Sequence, residues 1–417
     1  MSLIQRHLAD SITQAMASFP AVLVTGPRQV GKSTLLQMVG RGYEYVSFDD
    51  PLQLRQAKED PELFLQTRQP RLILDEIQYV PELFSYLKLR IDRMRMSALM
   101  EDHSQECLFL LSGSQTYHLM ANVSESLAGR LAILPMQGIS YREKAGVSCK
   151  LPFVPEATYL KERGKAGGTT PELWAMIHRG SMPRLVASED DWERFYAGYV
   201  ATYLERDVNQ LAQVADRGDF VRMMVAVAAR SGELVNYQSI AQEVGCSPTT
   251  IKRWLQILET SGIVFLLQPY HNNHLKRVIK TPKLYFMDTG LMAWLTRWIT
   301  PETMMRGAKA GQFFETWVVA EIVKSYLNAG KSVRDIYYYR DADQREIDLV
   351  VERGRVVHPM EIKLTAKPTA RMGQAFRLLE PVAQKGDMEI GEGVVINLYP
   401  EIIHLKENIR SLPAWYL

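Results

Sequence analysis

A loop suited to holding phosphate groups lies near the start of the chain. The sequence Gly26-Pro-Arg-Gln-Val-Gly-Lys-Ser-Thr34 has the spacing G-x-x-x-x-G-K-S and directly follows the apolar run Ala21–Thr25. Glycines let backbone N–H groups curl around an anion. We predict that Lys32 reaches the β- and γ-phosphates of ATP and that the Ser33 hydroxyl ligates Mg²⁺. The predicted nucleotide-binding residues are Gly26, Pro27, Arg28, Gln29, Val30, Gly31, Lys32, Ser33 and Thr34.

Two carboxylates at the end of a second apolar run complete this predicted site. Asp75 and Glu76 follow Arg71-Leu-Ile-Leu, as expected for a strand that delivers acids to the carboxyl edge of a sheet. Asp75 would hold the Mg²⁺ shell, and Glu76 would orient a water molecule for attack on the γ-phosphate. A P-loop kinase that acts on a small molecule needs no such water base, so Glu76 favours ATP hydrolysis.

Composition limits the remaining classes. A chain of 417 residues predicts two to three domains, and 47% hydrophobic with 23% charged residues indicates a globular protein. The net charge is only +2, so any nucleic-acid affinity must come from local patches. The three cysteines show neither metal-like nor disulfide-like spacing. The N-terminus has no signal-peptide core, and no apolar run is long enough to span a membrane. We therefore expect a cytoplasmic protein with no membrane partner.

Strand and helix patterns alternate up to about residue 160, which predicts an α/β domain with a parallel sheet. Its predicted strands are Val22–Thr25, Tyr43–Phe48, Leu72–Asp75, Leu108–Ser112 and Leu131–Pro135. The glycine-rich stretch Lys161–Pro171 predicts a linker or a disordered loop. We predict three domains, at residues 1–160, 171–300 and 305–417.

A helix-turn-helix is predicted between residues 237 and 260. Tyr237–Val244 reads as a helix, Gly245-Cys246 as a turn, and Ser247-Pro248 as the cap and first residue of a second helix. Two β-like runs, Ile263–Leu267 and Val278–Phe286, then predict the wing of a winged helix. A DNA backbone attracts a surface on which positive charge predominates, as it does in this region. Many winged helices nevertheless bind only protein. The basic residues of this surface are Lys252, Arg253, Lys276, Arg277, Lys280 and Lys283.

A second group of acids lies near the C-terminus. Residues 346–363 alternate like a hairpin with a two-residue turn at Gly354-Arg355, and this register places Asp348 opposite Glu361 and beside Lys363. Two facing carboxylates beside a lysine can form a Mg²⁺ site. Glu315, from an apolar helical stripe, is a third candidate acid. The same register places Glu346 opposite Lys363, so an ordinary cross-strand ion pair of these two, with Asp348 and Glu361 as solvated strand residues, is an equal alternative.

Taken together, these residues resemble the bacterial and archaeal AAA-fold ATPases that carry a C-terminal domain of unknown function. The resemblance spans nearly the whole chain. It rests on the ordered series Gly26–Ser33, Ser47–Pro51, Leu74–Gln78, Leu111–Gln115, Glu125–Arg130, Tyr203–Asp207 and Pro282–Leu291, followed by Glu315, Asp348, Glu361 and Lys363.

The resemblance implies an AAA-type ATPase module, a winged-helix region and an α/β C-terminal fold similar to restriction-endonuclease-like domains. In such ATPases a polar residue after the fourth strand senses the γ-phosphate, which makes Ser112 or Ser114 the candidate here. Ser112 stands where relatives often have threonine, so the hydroxyl is kept. Arg130 could reach a phosphate in its own or a neighbouring subunit, or form a surface ion pair. A homo-oligomer is therefore expected.

Two functional hypotheses follow. The first is an ATP-hydrolysing, DNA-associated switch or motor that uses ATP and Mg²⁺ and carries a nuclease-like tail. The second is a regulatory NTPase whose helix-turn-helix and tail bind proteins and whose nuclease-like residues are inactive.

Overall fold

The computed structural model describes residues 3–101, 106–114, 127–203, 217–270, 281–386 and 388–417. The elements of the first part are α1 (Leu8–Met16), β1 (Ala21–Thr25), α2 (Lys32–Val39), β2 (Glu44–Ser47), α3 (Pro51–Glu59), α4 (Pro61–Gln66), β3 (Leu72–Asp75), a 3-10 turn (Ile77–Tyr79), α5 (Leu83–Glu101), β4 (Phe109–Gly113) and β5 (Leu131–Pro135).

Within the described residues, these five strands form one parallel sheet in the order β2-β3-β4-β1-β5. Every predicted strand is confirmed to within a residue or two at each end. Side chains of β1 alternate between two cores: Val22 and Val24 belong to one apolar cluster, and Leu23 belongs to another. Because all strands run the same way, their carboxyl ends bring residues 26, 75 and 112 to one edge of the sheet.

Short helices connect this sheet to the rest of the chain. They are α6 (Tyr141–Lys144), α7 (Ala157–Arg163), α8 (Thr170–Arg179), α9 (Pro183–Ala187), α10 (Trp192–Tyr203) and α11 (Arg217–Ala228). The predicted linker at 161–171 is wrong at both ends, because residues 161–163 end α7 and residue 170 begins α8. Arg163 Nη2 donates to the carbonyl oxygen of Trp415 at 2.6 Å, which fastens this segment to the C-terminus.

The two helices predicted at 237–260 are confirmed as α12 (Tyr237–Val244) and α13 (Pro248–Thr260). Gly245 ends α12 with φ +83°, a left-handed conformation that favours glycine. Ser247 caps α13, its hydroxyl accepting from Thr250 N–H at 3.1 Å. The strands β6 (Val264–Pro269) and β7 (Lys283–Phe286) then pair antiparallel. Residues 271–280 between them lie outside the described part.

The C-terminal part extends this strand pair into a larger sheet. Its elements are α14 (Thr289–Leu295), α15 (Pro301–Arg306), α16 (Ala310–Asn328), β8 (Ile336–Arg340), β9 (Glu346–Arg353), β10 (Val356–Ile362), a 3-10 helix (Ala370–Leu379), α17 (Glu380–Gly386), β11 (Glu389–Ile390), β12 (Gly393–Asn397), β13 (Ile403–Lys406), β14 (Ile409–Pro413) and a last 3-10 turn (Ala414–Tyr416).

Among the described residues, the strand order of this sheet is β13-β14-β12-β10-β9-β8-β6-β7, with β11 paired to β10. Strand β6 pairs with β8 through Gln268–Tyr337 and Pro269–Tyr338. The sheet therefore crosses the predicted domain boundary between residues 300 and 305. Helix α16 packs below it and also contacts α1, where Ser11 Oγ donates to the Asn328 carbonyl at 3.0 Å.

Candidate functional sites

The loop at residues 26–31 has the backbone that a phosphate cradle needs. Gly26 has φ +137°, and a Cβ added there would lie 2.0 Å from the carbonyl oxygen of Met136. Gly31 has φ +92° and is the N-cap residue of α2, so the loop leads directly into the N-terminus of a helix, where anions are commonly bound. Gln29 also adopts a left-handed conformation, with φ +60°.

Lys32 and Ser33 lie where α2 begins. The buried ammonium of Lys32 donates to the carbonyl oxygens of Gly26 and Pro27, at 3.0 and 2.8 Å, and so lies over the loop. Ser33 Oγ donates to Asp75 Oδ1 at 2.7 Å. A hydroxyl and a carboxylate side by side are oxygen ligands suited to Mg²⁺. The residues present therefore fit a Mg²⁺-nucleotide, with Ser33 and Asp75 as the metal-facing pair.

Asp75 is buried and surrounded by neutral donors. Ser112 Oγ bonds to the same oxygen as Ser33, and Tyr45 donates its hydroxyl to Asp75 Oδ2 at 2.8 Å. Burial, with the Asp75 carboxylate adding to it, raises the pKa of Tyr45 to about 12, so this hydroxyl stays protonated at neutral pH. Among the described residues, three hydroxyl groups thus bond to the Asp75 carboxylate, and no cationic side chain forms an ion pair with it.

Glu76 is held separately from Asp75. Its N–H donates to Ser112 Oγ at 3.2 Å, and its Oε2 accepts from Ser114 Oγ at 3.1 Å and from Gln78 Nε2. Both serines proposed as γ-phosphate sensors thus lie at the site, each beside one of the two carboxylates. Asp50, which follows β2, serves as the cap of α3, because its side chain accepts from Leu52 N–H at 2.8 Å.

The C-terminal acids are brought together as the hairpin register predicts. Strands β9 and β10 pair through Leu349–Met360, and the turn residue Gly354 has φ +62°. Lys363 Nζ lies 3.2 Å from Asp348 Oδ2 and 2.5 Å from Glu361 Oε2, so all three side chains share one face of the sheet. Burial and then the Asp348 carboxylate raise the pKa of Glu361 to about 8, although Lys363 opposes the shift.

Lys283, from strand β7, occupies the other half of this cluster. Its buried ammonium pairs with Glu346 Oε1 and lies 3.4 Å from Glu315 Oε1, which also accepts from the Tyr285 hydroxyl at 2.7 Å. Burial alone would lower the pKa of Lys283, but Glu315 and Glu346 raise it. The alternative ion pair between Glu346 and Lys363 does not form, because each residue has other partners.

The C-terminal cluster is less suited to binding a divalent cation than the P-loop site is. Among the residues that the structure describes, at the P-loop as well as here, no group of three or more His, Cys, Asp or Glu side chains is arranged to hold a metal ion, so the difference lies in the partners of the acids. Asp348 and Glu361 converge on the ammonium of Lys363, and Glu315 converges on that of Lys283. A metal ion that binds between Asp348 and Glu361 would have to displace the ammonium of Lys363.

Comparison with known proteins agrees with this geometry. Residues 18–145 match the AAA domain family AAA_14, and residues 310–417 match DUF4143, a domain of unknown function. The N-terminal region is an AAA-type P-loop ATPase domain. Residues 170–302, between the two, match a further domain of unknown function, DUF8612. The AAA-type domain thus precedes a DUF4143 domain, as the sequence motifs predict.

The similar proteins themselves carry little functional information. The uncharacterized proteins Mb2031c of Mycobacterium bovis (strain ATCC BAA-935 / AF2122/97) and Rv2008c of Mycobacterium tuberculosis (strain ATCC 25618 / H37Rv) are each 29% identical over 412 residues, which cover 98% of this chain and 83% of theirs. The Walker-type ATPase paby2304 of Pyrococcus abyssi is 14% identical with a TM-score of 0.43, covering 70% of this chain and 96% of that one. The Aeropyrum pernix ORC2 protein is 13% identical with a TM-score of 0.34, covering 72% and 93%. Neither structural likeness is close enough to transfer a function.

Arg130 lies at the opposite edge of the AAA-type sheet from the P-loop. It precedes β5, whose first residue pairs with Ala21 at the start of β1, whereas the P-loop follows the end of β1. Five residues of strand separate the two positions, roughly 16 Å at about 3.3 Å per residue. Arg130 forms a two-point ion pair with Asp92 at 2.6 and 3.0 Å. In this structure Arg130 therefore contacts Asp92 and lies far from the P-loop of its own subunit.

The predicted basic surface is only partly described. Lys252 and Arg253 lie on the exposed face of α13, whereas Lys276, Arg277 and Lys280 lie outside the described residues. Lys283 does not belong to this surface, because it is buried in ion pairs with Glu315 and Glu346. The sequence shows only that Lys283 carries a positive charge. The pairing of β7 within the large sheet is needed to show that its side chain points towards Glu315 and Glu346.

Sequence reasoning also missed residues that hold the P-loop from behind. Arg6, which is buried, donates to the carbonyl oxygens of Val30 and Gln137 at 2.9 and 2.6 Å and pairs with Glu143 at 3.0 Å. An arginine twenty residues before the loop carries no local signal for this role.

In the described part of the chain, no helix is long and apolar enough to cross a membrane.

Proposed function

We propose that this protein hydrolyses ATP at the AAA-type site and uses the change of nucleotide to alter a DNA-associated winged helix. The observation that carries hydrolysis is the separation of the two carboxylates. Asp75 faces the Ser33 hydroxyl, while Glu76 is held apart by Ser114 and Gln78. One acid is thus placed to support Mg²⁺ and the other to accept a proton from water.

In the proposed reaction a water oxygen forms a bond to the γ-phosphorus, and the bond from that phosphorus to the β–γ bridging oxygen breaks. Glu76 takes the water proton, and ADP leaves with the electron pair of the broken bond. Lys32, together with the N–H groups at the start of α2, compensates the charge on the phosphates. Bound Mg²⁺ would add Lewis-acid stabilisation of the same oxygens.

The contact that supports coupling lies between the P-loop and the end of α13. Gly262, just after that helix, has φ +73°, and a Cβ there would lie 3.0 Å from Cδ of Pro27 and 2.8 Å from Nε2 of Gln137. Gln137 donates to the Gly262 carbonyl at 3.2 Å. Since Pro27 is a P-loop residue, we propose that a change of the loop on nucleotide binding passes through this contact to the helix that carries Lys252 and Arg253.

DNA-dependent ATP hydrolysis tests this proposal. We expect a short mixed-sequence duplex to raise the ATPase rate, and charge reversal of Lys252 and Arg253 to glutamate to weaken DNA binding. Two lost phosphate contacts should reduce the slope of log affinity against log salt by about 1.8. A matched control reverses Arg55 and Lys58, which are exposed on α3 of the AAA-type domain. Equal DNA affinity of all three proteins at low salt would refute DNA association through α13.

A second candidate function is supported by the two buried or half-buried lysines of the C-terminal cluster. If Lys283 and Lys363 already balance the acids, the DUF4143 domain is an inactive nuclease-like module, and the protein is a regulatory NTPase whose winged helix binds protein. Metal-dependent cleavage of DNA that is lost in both Asp348→Asn and Lys363→Ala would exclude this candidate. The proposed homo-oligomer, with Arg130 acting across a subunit boundary, is common to both candidates.

A further inference from the structure

Glu76 has a backbone conformation that is rare for its residue type. Its φ and ψ are +56° and +45°, in the left-handed region, directly where β3 passes into the 3-10 turn Ile77–Tyr79. Residues with a Cβ rarely adopt this region, because the Cβ comes too close to the following carbonyl oxygen, and they persist there when their surroundings hold them. The local fold therefore holds Glu76 in one orientation.

Gln78, two residues later, helps to fix the orientation of the Glu76 side chain. The 3-10 turn brings its side chain back, so that Nε2 donates to Glu76 Oε2 and lies 3.4 Å from Ser114 Oγ. The amide must present its nitrogen here, because two acceptors would repel each other. Among the described residues, no hydrogen bond reaches the other carboxylate oxygen, Glu76 Oε1, which leaves that oxygen able to receive a proton.

The oxygen of the same amide is also unusual. Gln78 is 8% exposed, and within the described part of the chain its Oε1 is buried without a hydrogen-bond partner. A buried acceptor without a donor is unfavourable, because the hydrogen bonds that it makes with water in the unfolded chain are not replaced. It lies in the same small planar group as the nitrogen that holds Glu76. An acceptor in this position is suited to the second hydrogen of a water molecule that donates its first to Glu76.

We propose that Gln78 is a positioning residue for ATP hydrolysis: it fixes Glu76 through Oε2 and orients the attacking water through its own Oε1. The inference rests on the proposed ATPase function. It assigns a role to an uncharged residue outside the predicted phosphate and metal ligands. No role in ground-state ATP binding follows from it, because the contacts of Gln78 are to Glu76 and Ser114 and not to the P-loop.

The test compares affinities for a non-hydrolysable ATP analogue and for ADP with aluminium fluoride, which mimics the transition state. The variants are Gln78→Glu, which replaces the donor by a second carboxylate, and the neutral Gln78→Met. Gln56→Glu, at an exposed position on α3, is the control. We expect both Gln78 variants to lose affinity for the ADP–fluoride complex by roughly tenfold to a hundredfold, with little change for the ATP analogue. The control should change neither affinity.

A double-variant comparison separates positioning from general structure. If Gln78 and Glu76 act on the same water molecule, adding Gln78→Met to a Glu76→Gln protein should cause little further loss of ADP–fluoride affinity. Equal loss of both ligand affinities in Gln78→Met, or full additivity with Glu76→Gln, would overturn the inference. Failure of the proposed function looks different, since the wild-type protein would then bind ADP–fluoride no more tightly than ADP alone.

Discussion

The two acid-bearing sites of this chain hold their carboxylates in opposite ways. Asp75, beside the P-loop, accepts hydrogen bonds from the neutral hydroxyls of Ser33, Ser112 and Tyr45. These donors orient the carboxylate and leave its charge uncompensated. A divalent cation gains the full attraction of such a group, so the AAA-type site is prepared for Mg²⁺.

The C-terminal cluster receives its positive charge from the protein itself. Lys283 lies between Glu315 and Glu346, and Lys363 lies between Asp348 and Glu361. An incoming cation must therefore compete with an ammonium group that is already in place. The comparison shows that acids with the spacing of a metal site are not sufficient evidence of one, because the identity of their partners decides what they can bind.

The largest expected effect concerns the P-loop side of this comparison. Lys32→Ala should abolish nucleotide binding, because the only lysine over the loop in the described structure is removed. Glu76→Gln should still bind and retain ATP but hydrolyse it roughly 10²–10⁴ times more slowly, since only proton acceptance is lost. Nucleotide retention and single-turnover rates measure both outcomes. Glu59→Gln, at an exposed position on α3, is the control; a wild-type rate in Glu76→Gln would refute the assigned role.

Mixed oligomers extend the same measurement to Arg130. Arg130 lies at the far edge of the sheet from the P-loop of its own subunit, so we expect any catalytic role of Arg130 to be in a neighbouring subunit. The ion pair of Arg130 with Asp92 would then have to open. Neither Arg130→Ala nor Glu76→Gln should hydrolyse ATP well alone. Mixing them should restore some sites that combine a wild-type Glu76 with a neighbour's wild-type Arg130. A strictly monomeric ATP-bound protein in light scattering would contradict this arrangement.

The next largest effect tests whether lysine replaces metal in the C-terminal cluster. Lys283→Met keeps the side-chain length but leaves Glu315 and Glu346 without their buried cation, which should lower stability by about 3 kcal/mol. Mg²⁺ should raise the melting temperature of this variant more than that of the wild type. Lys309→Met is the matched control, because the pair of Lys309 with Glu233 is about half exposed and should contribute at most about 1 kcal/mol. An identical response of the variant and the wild type to Mg²⁺ would show that Lys283 does not stand in for a cation.

The sequence predicts the P-loop site well because its parts are local. Gly26, Lys32 and Ser33 lie within eight residues, and strand ends in a parallel sheet must meet at one edge, which places Asp75 nearby. The hairpin register was also predictable, because a two-residue turn fixes which residues pair. The partners of these acids were not predictable. Lys283 meets Glu346 because β6 pairs with β8 and joins two regions into one sheet, and it meets Glu315 because α16 packs against β7. Gln78 likewise depends on the unusual backbone of Glu76.

The smallest expected effect is a metal-dependent gain in stability at Asp348 and Glu361. These two carboxylates share one face, and a cation that displaces Lys363 would relieve their mutual repulsion. Mg²⁺ or Mn²⁺ at about ten times its dissociation constant should add roughly 1.4 kcal/mol to the free energy of unfolding. Asp348→Asn, which is nearly isosteric, should lose this gain without unfolding the domain, while Asp343→Asn, an exposed aspartate before β9, should keep it. Melting curves with and without the metal distinguish these outcomes. An equal gain in Asp343→Asn and Asp348→Asn would place the metal elsewhere, and no gain in the wild type would mean that Lys363 has taken the position of the metal.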